Sequence, residues 1–384
     1  MEKLFYQDTR MTDFVATVTE CIPADTEGHF LVVLDKTAFF PEEGGQTADK
    51  GTINDLEVLD VQIKDDIIYH KLAQPLEVGS SADGYVDWSH RLDFMQQHSA
   101  EHILSGLLYK HYGFHNVGFH LSVNEVTMDF DGQLSLEQLR EIEKEANEIV
   151  WKDVPVYAYF PTKEELENID YRSKSEIEGD VRIVEIVGVD ACACCAPHVS
   201  FTGEIGVIKI VNAMNHRGGM RLTLLCGGRA LKDYSFRQDT FSVLTSMLSA
   251  KPEKILEAVK RLQEESQTMK NTANELANRL MQLQLQNLPS PSETENVLLF
   301  VELSNMVAVR NTVNELTEKY SGYCAVFSGN DADGYNFIIG SKSKDCRDIA
   351  TLLREKFSAK GGGTAPMVQG SVQAKSADIK TMFD

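Results

Sequence analysis

The sequence predicts a multidomain α+β protein. An N-terminal small β-barrel is expected over residues 1–90 and an α+β core over 91–229. A long helical, coiled-coil segment is expected over 230–290, and a small α/β domain over 291–384. Three observations predict this. The chain has 384 residues, and at about 100–200 residues per domain that is room for more than one core. Short β-branched runs broken by glycine give way, near residue 91, to apolar residues at helical spacing. A heptad seam then separates that core from a final alternation of strands and helices.

The elements follow in order. Val15–Thr19 and Phe30–Leu34 are strand-like, and Gly44-Gly45 and Asp83-Gly84 punctuate them. Leu92, Met95, Ile103, Leu104, Leu107 and Leu108 mark a helix over 91–113. Asn124–Phe130 reads as a strand. Ser135, followed three residues later by Gln138, reads as a capping box opening a helix to Trp151. A short helix is expected from Thr162 to Ile169. A strand from Val181 runs directly into a cysteine cluster, and strands are expected over 206–211 and 220–225. From Ala230 the chain reads as helical. Ile255, Val259, Leu262, Met269, Ala273, Leu276, Leu280 and Leu283 step by four and three, with Ser266 the one polar interruption. This seam is either two packed helices bracing neighbouring domains or the arm of a homodimer. Pro289 and Pro291 end it. Beyond it, 297–301 and 323–327 are strand-like, and 311–320 and 346–357 helix-like. Lys360-Gly-Gly-Gly-Thr then forms either a loop or an amide-rich surface open to a ligand.

Composition narrows the function. At 42% hydrophobic and 25% charged residues, the chain is an ordinary globular one. No apolar run is long enough to cross a bilayer, and no signal peptide is visible, so no membrane role and a cytoplasmic location are expected. Seven cysteines, three of them crowded at Cys192, Cys194 and Cys195, suit metal or thiol chemistry better than a disulfide framework. With 37 Lys+Arg against 58 Asp+Glu, the net charge of −21 disfavours non-specific nucleic-acid binding by the body of the protein. Residues 341–380 run against this trend with a basic excess, so nucleic-acid contact is expected there.

Two histidine motifs carry the chemistry. In His98-Ser-Ala-Glu-His102 the imidazoles lie four apart on one helix face, where they can share a metal ion. Cys194-Cys-Ala-Pro-His198 follows a strand and offers a thiolate and an imidazole. Three nitrogens and one sulfur suit tetrahedral zinc. The spacing favours Cys194, with Cys192 and Cys195 also within reach. Four protein ligands fit a structural site as well as a catalytic one. His-x-x-Glu-His is also an inverted zinc-peptidase pattern with Glu101 as base, although that scheme has no place for the Cys-x-x-x-His pair. Outside that scheme, Glu101 either supports the ligands from behind or, as is commoner for a carboxylate on a helix, faces solvent. A third motif, Asp35-Lys-Thr-Ala-Phe-Phe-Pro-Glu-Glu-Gly-Gly-Gln46, sets paired glycines before a glutamine that both donates and accepts hydrogen bonds. Gly-Gly-Gln is also a tripeptide of translation release factors, which hydrolyse an ester on tRNA.

Together these residues resemble the editing half of alanyl-tRNA synthetase and its free-standing relatives, the trans-editing alanyl-tRNA deacylases. Thr37 to Asp49 resembles their glycine-rich motif, Gln96 to Ser105 their first metal motif, and Cys194 to Val199 their second. Ala196-Pro197 stands where the family usually has Gly-Thr. The coiled segment and Lys360 to Gly370 resemble the synthetase's C-terminal domain, also found beside DHH-type phosphoesterases. With the chain beginning at the barrel, no aminoacylation domain is expected. The resemblance implies hydrolysis, in trans, of tRNA(Ala) mischarged with serine or glycine. It implies one Zn2+ at His98, His102, Cys194 and His198, and substrate contacts from Gln46 and Thr37. It implies tRNA contacts from Arg354, Lys356, Lys360, Gly361, Gly362 and Gly363, with Lys342, Lys344 and Arg347 beside them. The alternative is a tRNA-binding module with a structural zinc site and no deacylase activity.

Overall fold

The structure is a computed structural model that describes residues 1–173, 179–302 and 305–383. The chain divides into two units, Met1–Phe241 and Ser242–Asp384.

The first unit opens with nine short strands: β1 (Glu2–Lys3), β2 (Asp13–Pro23), β3 (Phe30–Leu34), β4 (Lys36–Thr37), β5 (Gly51–Ile53), β6 (Leu56–Glu57), β7 (Asp60–Lys64), β8 (Ile67–Leu72) and β9 (Ser81–Val86). Seven of them form one sheet in the order β6-β5-β9-β2-β3-β8-β7, and β1 pairs in parallel with β4. Strand β2 shows why the sheet curls. Phe14, Ala16 and Val18 alternate inward along its first half, which pairs with β9. A register shift between Val18 and Glu20 bends it before its second half pairs with β3. The outer strands β6 and β7 are not paired with each other, so the sheet is a curled half-barrel and not the closed barrel expected. Two residues in β6 cannot supply a closing ladder.

Helix α1 (Trp88–Tyr112) follows. Asp87 caps it, accepting from the amides of Ser89 and His90, and Gly113 ends it with a left-handed φ of 70°. From Phe94 to Leu108 nearly every side chain is buried, the polar ones included. Next come β10 (Asn116–Leu121), β11 (Val126–Phe130), α2 (Leu136–Lys152), β12 (Val156–Tyr159), α3 (Lys163–Leu166), β13 (Ile183–Ile186), β14 (Asp190–Ala193), β15 (Ile208–His216) and β16 (Gly219–Cys226). The order β10-β11-β16-β15 makes one antiparallel sheet and β12-β13-β14 another. The capping box of Ser135 and Gln138 opens α2 as expected. The cysteine cluster does not follow β13 directly: the chain turns at Val187–Val189 and returns as β14, so Cys192 lies in a strand and Cys194 just beyond it. Asp-Ala-Cys-Ala lacks the β-branched run that announces a strand.

The helical segment expected here consists of two helices, α4 (Gly227–Met247) and α5 (Ile255–Gln286), separated where Ser249 adopts φ 47° and Pro252 follows. The seam residues Leu262, Met269, Leu276, Leu280 and Leu283 are exposed along α5. The second unit continues with β17 (Val297–Val301), α6 (Met306–Lys319), β18 (Cys324–Asn330), β19 (Gly334–Gly340), α7 (Cys346–Phe357), β20 (Lys360–Thr364), β21 (Met367–Val372) and α8 (Ser376–Lys380). Its sheet runs β17-β18-β19-β21-β20, with β17 and β18 parallel and the rest antiparallel. The glycine run is therefore the edge strand of a sheet. Among the described residues, no helix is long and apolar enough to cross a membrane.

Candidate active site

The site is built on α1. His98 and His102 sit one turn apart on its buried length, 2% and 1% exposed. The loop after β14 brings Cys194 and His198 to the same place. One ligand atom from each of the four lies within 4.8 Å of every other. Cys194 Sγ is 3.5 Å from His98 Nε2 and 3.4 Å from His198 Nε2. His102 faces the same space, its ring centroid 4.6 Å from that of His198 and 5.5 Å from that of His98.

The donor set fits zinc. Bonds of about 2.3 Å to sulfur and 2.0–2.1 Å to nitrogen, set tetrahedrally, put sulfur and nitrogen about 3.5 Å apart. The two distances at Cys194 match that edge. The protonation of Cys194 points the same way. Burial opposes charge on the Cys194 thiol, but the imidazoles of His98 and His198 and hydrogen bonds from His102 and His198 together hold it well below the ordinary thiol value. Burial pushes Cys192 up to about 12 and keeps Cys195 a thiol, the neighbouring Cys194 adding to the effect there. Burial also lowers His198 to about 3, whereas at His102 burial is outweighed by Asp190 and Cys194, which raise the imidazole to about 9.

The outer faces of the imidazoles are held by the chain. Gln46 Oε1 lies 2.9 Å from His98 Nδ1. Ser99 Oγ lies 3.0 Å from His198 Nδ1 and accepts from the amide of Val199. Asp190 Oδ2 stands 3.4 Å from His102 Nδ1, and both carboxylate oxygens of Asp190 are gripped at 2.7 Å by Arg172. Burial raises the Asp190 carboxyl, but His102 and Arg172 together carry it below its ordinary value. At His98 and His198 such outer contacts fix which ring nitrogen carries hydrogen, whereas His102 Nδ1 is buried without a hydrogen-bond partner among the described residues.

Gln46 reaches His98 through a tight turn. Glu43 and Gln46 exchange backbone hydrogen bonds of 3.1 Å, and Gly44 and Gly45 adopt φ of 64° and 82°. A Cβ on Gly45 would stand 2.5 Å from the Phe119 carbonyl oxygen. With Oε1 facing His98, Gln46 Nε2 is buried without a hydrogen-bond partner among the described residues.

Thr37 lies elsewhere. It is fully buried, its Oγ1 2.9 Å from His70 Nε2 and accepting from the Phe39 amide. His70 Nδ1 lies 3.0 Å from the Val32 carbonyl and donates to it. His70 Nε2 is then the acceptor, and the Thr37 hydroxyl hydrogen is committed to it. Neither Thr37 nor Gln46 lines the cavity beside the cluster, although Glu43 and Gly44 of the glycine turn do. Glu101 takes the inner of its two expected places. It is 1% exposed, accepts from Ser105 Oγ at 2.7 Å and from Asn116, and places Oε2 3.7 Å from His102 Nε2. It is a buried partner of the cluster's helix and not a solvent-facing residue.

The basic residues of the second unit are divided. Lys342 pairs with Glu318, Lys344 stands 3.6 Å from Glu295, and Arg347 pairs with Asp345. Arg354 donates to the Gly361 carbonyl at 3.1 Å. Lys356 and Lys360 are exposed. Gly361 and Gly363 are required by close backbone neighbours on β21, whereas a Cβ on Gly362 would meet open space.

Sequence reasoning missed Ser99, Arg172, Asp190, Arg182 and His70. Ser99 and Asp190 sit one residue from His98 and four from Cys194, so an ordinary search for flanking polar groups finds them. Arg172, Arg182 and His70 carry no local signal.

Comparison with known proteins agrees with this geometry. Residues 181–222, which include Cys194 and His198, match the family described as threonyl and alanyl tRNA synthetase second additional domain. Residues 2–90 match the family described as tRNA synthetases class II (A). The chain is 31% identical to alanyl-tRNA editing protein Aarsd1-A of Xenopus laevis, over 98% of this chain and 96% of that protein. The chain belongs to the alanyl-tRNA editing protein family. Another alanyl-tRNA editing protein, Aarsd1 of Rattus norvegicus, is 28% identical over 100% of this chain and 97% of its own. The alanine–tRNA ligase of Methanopyrus kandleri is 30% identical over 96% of this chain, but the match spans 42% of that ligase. This member of the editing family thus matches part of a ligase and nearly the whole of the editing proteins.

Proposed function

We propose that the protein hydrolyses, in trans and in the cytoplasm, the ester joining a wrong amino acid to tRNA(Ala), with serine the main target and glycine the second. The observation that carries this is the cluster of His98, His102, Cys194 and His198 opening on a cavity in a chain of the editing family. These four residues would hold zinc, which supplies a Lewis-acid centre able to polarise an ester carbonyl or a water.

The chain's own groups do the rest. Gln46, Ser99 and Asp190 orient the imidazoles. Gln46 also keeps a buried amide donor unpaired. A seryl hydroxyl could satisfy that donor and an alanyl methyl could not. Sites that hydrogen-bond a substrate hydroxyl reject analogues lacking it by about 10⁴–10⁵. This reading assigns discrimination to Gln46 and leaves Thr37 to hold His70 within the curled sheet. Lys356, Lys360 and Arg354 would meet tRNA phosphates beside the glycine strand, with Gly362 the point of closest approach. The heptad face of α5 would join two copies of the chain. The domain limits 1–90, 91–229, 230–290 and 291–384 follow these roles.

The test is release of labelled serine from seryl-tRNA(Ala), with alanyl-tRNA(Ala) as control. Fast loss of serine with alanine spared is expected. Loss of neither, by folded zinc-loaded protein, would favour the tRNA-binding module with a structural metal.

A further inference from the structure

The cavity beside the cluster is larger than an aminoacyl group needs. It measures about 890 Å³, at the upper end of what a whole small-molecule ligand occupies. His98, His102 and Cys194 line it, and so do Tyr6, Phe160 and Arg182.

The last three form one construction. Phe160, just past β12, is 52% exposed. Its ring meets Tyr6 edge-on, with centroids 5.5 Å apart and planes at 73°. The Arg182 guanidinium lies 4.8 Å over the Tyr6 ring. Arg182 is 5% exposed, and its Nη1 donates to the carbonyls of Cys194 at 2.9 Å and Ala196 at 2.8 Å. No carboxylate is paired with it among the described residues. Arg182 therefore ties the metal loop to Tyr6, and Tyr6 braces Phe160. A half-exposed aromatic ring held rigidly beside a reaction centre is a stacking surface awaiting a flat partner.

Charge decides which partner. Glu43, Asp66 and Asp180 line the cavity against Lys3 and Arg182. That balance disfavours a phosphate and favours a neutral base whose exocyclic amine can donate to a carboxylate.

We propose that Phe160, braced by Tyr6 and Arg182, stacks the terminal purine at the unpaired 3′ end of a tRNA. This rests on the hydrolase reading above, because the ester to be cut lies on the ribose attached to that base. Base and ester are then held in one cavity, Phe160 positioning the nucleoside and the cluster facing the ester.

The test uses two uncharged RNA hairpins that differ only in the terminal nucleotide, one with adenine and one abasic. The wild-type protein is expected to bind the abasic end about 5- to 150-fold more weakly, the range measured for one base–aromatic stack. Phe160→Ala should bind the intact end as weakly and no longer distinguish the two. Phe160→Trp should restore the distinction. With seryl-tRNA(Ala), the Phe160→Ala defect should fall on KM rather than kcat. Equal binding of both ends by wild type, alongside fast serine release, would overturn the stacking surface and leave the hydrolase intact. Discrimination between the ends without serine release would support the surface and overturn the hydrolase.

Discussion

Gln46 Oε1 accepts from His98 Nδ1 at 2.9 Å, and this bond joins the glycine turn of the curled sheet to the cluster on α1. A carbonyl oxygen only accepts, so His98 carries its hydrogen on Nδ1 and turns the Nε2 lone pair toward Cys194. Glutamine is therefore the residue that sets His98 for a metal. Gln46→Ala should weaken zinc about 10- to 100-fold, the usual effect of losing such a contact. Gln46→Glu keeps an acceptor and should hold zinc nearly as well. Competition with a chromophoric chelator measures both. Equal zinc affinity in wild type and Gln46→Ala would contradict the assignment.

Arg91 and Asp49 carry the second prediction. Both are 1% exposed, and they pair between α1 and the curled sheet. Arg91 also donates to the carbonyls of Ala38 and Thr9. Arg91→Met leaves the Asp49 carboxylate buried and short of a partner, which should cost about 3–5 kcal/mol. Arg91→Met with Asp49→Asn should recover part of it. The midpoint of urea unfolding reads both variants.

His70 makes stability depend on pH. Burial holds it at about 4, below its ordinary 6.5, with the Val32 carbonyl opposing only in part. The unfolded chain therefore binds this proton more readily than the folded one. The contribution is fully present above about pH 6.5 and is lost as pH falls toward 4, with about 2 kcal/mol gone by pH 5. His70→Asn should lack this component. The same loss between pH 7 and pH 5 in variant and wild type would show that His70 does not carry it.

The glycine strand offers a paired comparison. Gly361 has φ 148°, and a Cβ there would meet the Gln369 carbonyl oxygen at 2.3 Å, so Gly361→Ala should lower the melting temperature. A Cβ on Gly362 meets nothing within 4 Å, so Gly362→Ala should melt normally. If RNA backbone approaches the strand there, Gly362→Ala should still weaken tRNA binding. Normal binding by Gly362→Ala would remove that strand from the tRNA surface.

Much of this was legible in the residues, and the failures have physical causes. The four candidate ligands converge because two sit at helical spacing and two in one short loop, and local spacing is what a sequence displays. The capping box at Ser135 is likewise local. Closure of the sheet was not legible, since it depends on whether β6 and β7 meet. Thr37 enters only through the family resemblance of its motif, and His70, distant in sequence, claims its hydroxyl. A carboxylate on a helix usually faces solvent, so spacing alone does not place Glu101 inside. Only the packing of α1 on all sides, with Ser105 and Asn116 as donors, explains its burial. The glycine run reads as a loop or an open amide surface because glycine weakens strands. It pairs with β21 because Gly361 and Gly363 permit a backbone approach that side chains would block.

The central claim is that one metal at His98, His102, Cys194 and His198 enables ester hydrolysis. The most direct test strips the protein of metal and adds zinc stepwise, reading serine release from seryl-tRNA(Ala) at each step. Activity should rise linearly, saturate at one zinc per chain, and fail to appear in Cys194→Ser at the same additions. Full activity in the stripped protein, or equal recovery in Cys194→Ser, would contradict it.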